Sequence, residues 1–122
     1  MDRQPLTLVL GASEKTERYS NKAIQMLREH GYPVAAIGLR EGQVLDVPIL
    51  KVPQKDLNVD TVTLYLNPQN QLPHYQYLLS LHPRRIIFNP GTENPELMEL
   101  ARQQGIETLE ACTLVLLSTD QY

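Results

Sequence analysis

The stretch Leu6-Thr7-Leu8-Val9-Leu10-Gly11-Ala12-Ser13, with the segment that follows it to Gly38, decides the fold. The run Leu6–Leu10 is short, almost wholly apolar and closed by Gly11, the pattern of a strand buried on both faces of a parallel sheet. A polar loop runs from Ala12 to about Tyr19, and Ser20 then reads as a helix cap. Ala23, Ile24 and Leu27 share one helical face, Arg28 and His30 fall in the last turn, and Gly31 supplies a left-handed stop. Pro33-Val34-Ala35-Ala36-Ile37-Gly38 is a second strand, which completes a β-α-β unit.

Further along, Val47-Pro48-Ile49-Leu50 reads as a short edge strand, because Pro48 cannot donate to a central ladder. Lys51 to Asp60 reads as a connection, with room for one helical turn around Gln54–Leu57. Thr61–Leu66, β-branched and aromatic, is a strand. Asn67-Pro68 resembles a helix cap, but Pro73 would then lie inside the helix. The preferred reading is an irregular Asn67–Leu72 and a helix from Pro73 to about Leu81 that buries Tyr75, Leu78 and Leu79.

Arg85–Phe88 is the next strand, and Asn89-Pro90-Gly91 a tight turn. Asn94 caps a helix that has Pro95 at its first position, Leu97, Leu100 and Ala101 on its inner face, and Gly105 at its end. Ile106–Leu109 is the last clear strand, and Thr113–Leu117 is either a short strand or a helical turn. Strands that alternate with helices imply a Rossmann-like α/β fold. It is an open three-layer parallel sheet with helices on both faces, formed as a single domain over residues 1–122, with the first strand near the middle.

Composition narrows the function. A length of 122 residues fits one domain. No apolar run approaches the length of a membrane helix, and Met1–Pro5 has no apolar stretch of the signal-peptide kind behind its charges. Cys112 is the single cysteine, so no internal disulfide forms and a reducing cytoplasm is the expected setting. A net charge of −3 with scattered Lys and Arg argues against nucleic acid as a partner. His30, His74 and His82 show no metal-ligand spacing. Cys112 has no base near it in sequence, and the chain contains neither a G-x-S-x-G elbow nor a Walker loop. No catalytic constellation is therefore expected.

In a doubly wound sheet, ligands bind at the carboxyl edge of the strands where the strand order reverses. That rule selects Gly11–Ser20, Leu39–Asp46, Asn67–Leu72 and Asn89–Asn94. Gly11, Ala12 and Ser13 leave backbone amides open to a phosphate, and Tyr19 and Ser20 enter the following helix, whose N-terminus is electropositive. Arg40, just after the second strand, stands where NAD-binding folds carry an acidic residue for the ribose hydroxyls. An arginine there suits a phosphorylated ribose, as in NADP or coenzyme A. Leu66, Asn67 and Pro68, and likewise Asn89, Pro90 and Gly91, follow strands at the same edge. The amides of Asn67 and Asn89 are candidates either for a ligand or for turn formation.

The same segments resemble the CoA-binding domain family, the small Rossmann-like domain found alone in bacterial proteins and as the N-terminal domain of the succinyl-CoA synthetase α subunit. The resemblance runs from Leu8-Val9-Leu10-Gly11-Ala12-Ser13 to Ala111-Cys112-Thr113-Leu114. It is carried by Leu27-Arg28-Glu29-His30-Gly31-Tyr32, Val59-Asp60-Thr61-Val62, Phe88-Asn89-Pro90-Gly91-Thr92-Glu93-Asn94 and Glu110-Ala111-Cys112. It implies coenzyme A or an acyl-CoA as ligand, with the nucleotide against Gly11-Ala12-Ser13, Leu66-Asn67-Pro68 and Phe88-Asn89-Pro90. Where the family has a Pro-then-Lys turn, this chain has Gly38-Leu39-Arg40. The ligase's phosphorylated histidine lies in a second domain that has no counterpart here. The expected function is thus a cytoplasmic, non-catalytic binding protein for a nucleotide-type small molecule. A homo-oligomer, with Leu114–Leu117 as one candidate face, or a partner enzyme subunit is compatible with that reading. An NAD(P)-binding sensor or enzyme fragment, and an interaction module that has lost its ligand, are the alternatives.

Overall fold

The computed structural model describes residues 5–122; the Met1–Gln4 start, read above for a leader, lies outside the described residues. Seven strands form one sheet in the order β3-β4-β2-β1-β5-β6-β7. They are β1 (Thr7–Ala12), β2 (Val34–Gly38), β3 (Gly42–Val44), β4 (Val47–Leu50), β5 (Thr61–Leu64), β6 (Arg85–Phe88) and β7 (Glu107–Glu110). The helices are α1 (Tyr19–Glu29), α2 (Pro68–Gln71), α3 (Tyr75–Ser80), α4 (Pro95–Gln103) and α5 (Thr113–Ser118). The first strand is central, as expected. It pairs in parallel with β2 on one side and β5 on the other, so the strand order reverses between β1 and β5.

Alternate residues of β1 feed two cores. Leu8 and Leu10 face Leu78, Leu97 and Ala101 of α3 and α4, while Val9 faces Ile24, Leu27 and Leu117 of α1 and α5. This is the two-residue period of a strand buried on both faces. It produces the three layers read from the sequence.

Several local expectations are corrected. Ser20 does not cap α1: Arg18 holds the cap position and Ser20 is buried one residue inside the helix. The strand containing Pro48 is not the edge. Gly42–Val44 forms an antiparallel hairpin with it and takes the outermost place, so the sheet is mixed rather than wholly parallel. Pro48 is tolerated because pairing between β2 and β4 begins at Ile49, one residue past it. Residues 54–57 form no helical turn.

Asn67 does cap a helix, its side chain accepting the Asn70 N–H, with Pro68 at the first position. Pro73 does not break that path. It stands at the start of a 3-10 turn, Leu72–His74, that joins α2 to α3, where its missing N–H costs nothing. Thr113–Leu117 is helical, and Leu117 points into the core. No described helix is long and apolar enough to cross a membrane.

Candidate functional site

The reversal of strand order opens a cleft of about 590 Å³ at the carboxyl edge of the sheet. Its floor is the end of β1. Gly11 has φ +98°, and a Cβ there would stand 3.0 Å from the Tyr65 carbonyl carbon and 3.1 Å from Leu66 Cδ2, so the loops after β1 and β5 touch only through glycine. Gly38 has a similar role at the end of β2, where a Cβ would come within 2.3 Å of the Ala12 carbonyl oxygen. These two close approaches bring the loops after β1, β2 and β5 to one wall.

Of the residues expected from the sequence, Gly11, Ala12, Ser13, Tyr19, Ser20, Arg40, Leu66, Asn67, Pro90 and Gly91 line the cleft. Asn89 and Pro68 do not. The Asn89 side chain is buried and turned into the protein. Its Nδ2 donates to Thr63 Oγ1 at 2.7 Å and to the Leu64 carbonyl at 2.8 Å, and its Oδ1 accepts the Thr113 N–H at 2.8 Å. It joins β5 to the start of α5 and is fully used there. The Asn67 carbonyl oxygen caps α2, which leaves only its NH₂ end for a ligand. Of the expected segment 39–46, Leu39, Arg40 and Glu41 line the cleft and the remainder belongs to the hairpin.

Sequence reasoning passed over Lys15 and Arg18, which line the same cleft. Both stand in the loop between β1 and α1, and the signal for them is a pair of cations immediately ahead of a helix. No side chain caps α1, and its first turn carries no acidic residue. Its first amide N–H groups and positive dipole end are therefore not occupied by a side chain of the helix itself. The rest of the edge is held by buried amides. Gln71 Nε2 donates to the carbonyls of Leu66 and Thr92, both at 2.8 Å, and Gln71 Oε1 accepts from Asn94 Nδ2 at 2.9 Å. The loops after β5 and β6 are thus cross-linked before any ligand arrives, which lowers the ordering cost of binding.

Beneath the cleft wall, the Tyr65 hydroxyl is buried with no hydrogen-bond partner. Burial pushes its pKa up to about 12. The cleft lining contains neither histidine nor cysteine, and no metal-holding group of His, Cys, Asp and Glu occurs among the described residues.

A Rossmann-like α/β domain with a cleft of mixed polar and apolar lining at its switch point is the class that this fold and site define. The chain belongs to the CoA binding domain family, whose model matches residues 6–118. Among solved structures, a crystal structure of an uncharacterized protein is 47% identical, with a TM-score of 0.94, over 99% of this chain and 100% of that one. A Thermus thermophilus protein, cell-free ID.343, shares the fold at 22% identity and a TM-score of 0.84, over 98% of this chain and 91% of that one. The dinucleotide-forming acetyl-coenzyme A synthetase 1 of Ca. Korarchaeum cryptofilum contains a similar fold at 17% identity and a TM-score of 0.68. The match covers 89% of this chain and 26% of that one. No curated protein matches.

Proposed function

We propose that the protein is a binding module for coenzyme A or an acyl-CoA, which holds the nucleotide at the carboxyl-edge cleft and does no chemistry there. One observation carries this reading. Lys15, Arg18 and Arg40 converge with the uncapped N-terminus of α1 on a single cleft, in a chain whose net charge is −3. Family membership supports CoA as the source of the phosphates that such a cleft would take. Lys15, Arg18 and the α1 amides suit a diphosphate, and Arg40, exposed at the end of β2, suits the phosphate on the ribose. Catalysis has no support in the lining, where the Ser13 hydroxyl accepts the Lys15 N–H and no imidazole or thiol stands beside it.

The test is calorimetry with CoA, dephospho-CoA and NADP on the wild type and on Arg40→Glu. CoA is expected to bind more tightly than dephospho-CoA. Arg40→Glu is expected to weaken CoA by about tenfold or more, the value of one charge-assisted contact, and dephospho-CoA by less than about twofold. Binding of NADP without CoA would replace this reading with the dinucleotide one. Equal losses for CoA and dephospho-CoA would remove Arg40 from the ribose phosphate.

A further inference from the structure

We propose that Glu14 is a positioning residue: its carboxylate clasps the loop between β1 and α1 onto the edge strand β3 and so sets Lys15 and Arg18 in place at the cleft. The inference rests on reading the cleft as a site for a phosphate-bearing nucleotide. Glu14 Oε2 accepts the Gln43 N–H at 2.8 Å. Gln43 belongs to the outermost strand, so this N–H has no further strand to pair with, and the carboxylate supplies the missing acceptor.

β4 and β2 lie between β3 and β1 in the sheet. The loop therefore passes over the carboxyl end of β2, from which Leu39 and Arg40 extend, and the clasp brings the cations of both segments to one cleft. On its helix side the same loop is held by Asn21 Nδ2, which donates to the Ser13 carbonyl at 3.0 Å. Glu14 is the matching attachment on the far side.

Gly42 is the residue that leaves room for this contact. Its φ is not in the left-handed region, so its backbone does not call for glycine. Space does: a Cβ at Gly42 would stand 2.3 Å from Glu14 Cδ and 2.6 Å from Oε1. Any larger residue at position 42 displaces the carboxylate from the Gln43 N–H.

Lys15 and Arg18 are themselves trypsin sites, so the loop reports its own release. Limited trypsinolysis of the ligand-free protein is expected to cut after Lys15 and Arg18 about fivefold faster in both Glu14→Ala and Gly42→Ala. That factor is what one net hydrogen bond is worth to a local opening. Glu14→Gln retains an acceptor oxygen and should restore most of the protection. The melting temperature should fall by no more than the few degrees that one exposed hydrogen bond is worth, and the extra cutting should be concentrated at Lys15 and Arg18. Equal cutting of wild type and Glu14→Ala would overturn the clasp.

Affinity forms the second arm. CoA and dephospho-CoA should lose the same factor in Gly42→Ala, about three- to tenfold, because that change frees the loop while keeping the Glu14 charge, and the loop faces the diphosphate they share. Faster cutting with unchanged affinity would overturn the positioning role. If the wild type bound no CoA, the proposed ligand would fall, while the proteolysis would still decide the clasp.

Discussion

Asn89 gives the sharpest test of whether a polar residue at the ligand edge serves the ligand or the fold. Asn89→Ala removes two donated bonds and one accepted bond, all between 2.7 and 2.8 Å and all buried. The Thr63 hydroxyl keeps its contact with the Thr113 hydroxyl at 2.8 Å. The Leu64 carbonyl loses its side-chain donor and the Thr113 N–H loses its acceptor, and neither position is open to water. At about 1–3 kcal/mol for each of the two groups so stripped, the expected loss is about 2–6 kcal/mol. A domain of this length has roughly 6–18 kcal/mol in total, so the variant should fold but melt markedly earlier. Equilibrium urea unfolding is the assay, and a fall of about 1–2 M in midpoint with little change in slope is the expected result. CoA affinity of the folded variant should stay within about threefold of wild type, since the side chain points away from the cleft. A stability loss under about 0.5 kcal/mol, with CoA binding down more than tenfold, would refute the reasoning and return Asn89 to the ligand.

Two further outcomes follow from groups with shifted titration. The Tyr65 pKa, pushed up to about 12 by burial, means that the folded state favours the neutral phenol. Stability is then complete below the unfolded pKa of 10.0 and declines as pH rises toward about 12. Because the hydroxyl has no partner, Tyr65→Phe should hold or gain stability within about 0.5 kcal/mol at pH 7 and flatten that alkaline decline; a loss above about 1 kcal/mol would show a partner bond. Burial opposes ionisation of Asp60, but hydrogen bonds from Arg84 and Thr61 outweigh it and hold the carboxyl below its ordinary range. Its contribution is therefore present above about pH 4 and lost as pH falls through the folded value, so Asp60→Asn should flatten the acid limb of the stability profile; parallel limbs would exclude the pair as a contributor.

The parts of the fold that were legible in sequence are those in which one residue type has one use. The apolar run Leu6–Leu10, the Asn94-Pro95 cap and the Gly31 stop fall where periodicity and capping place them. The hairpin was not legible. Gly42–Val44 is three residues long with an exposed polar centre, and its turn depends on Leu45 at φ 53°, a conformation that leucine does not advertise. Pro73 interrupts an α-helix but is accepted within the first turn of the 3-10 segment Leu72–His74, a use that proline does not advertise in sequence. At the site, a strand followed by Asn marked the right edge but not the direction of the side chain. The available signal was Thr63, a hydroxyl in the middle of a strand buried on both faces, which needs an inward partner of the kind that Asn89 supplies.

The placement of charge separates structural cations from those free to meet a ligand. Arg28 pairs with Asp46, and Arg84 with Asp60 and, at longer range, Glu107, all away from the cleft. Among the described residues Lys15, Arg18 and Arg40 form no such pair, and neither do Lys22, Lys51, Lys55, Arg85 and Arg102, so it is their place around one cleft that sets the first three apart. Of the two carboxylates that line the same cleft, Glu14 is turned onto the Gln43 N–H and Glu41 follows Arg40 on the rim. Three cations against two carboxylates around one uncapped helix end leave a small positive excess at this cleft in a protein that is acidic as a whole. The buried amides of Gln71, Asn89 and Asn94 are satisfied internally and contribute rigidity, not charge. Recognition by this cleft should therefore be dominated by phosphate, with affinity that falls steeply as salt rises, while the shape of the cleft stays the same with or without ligand.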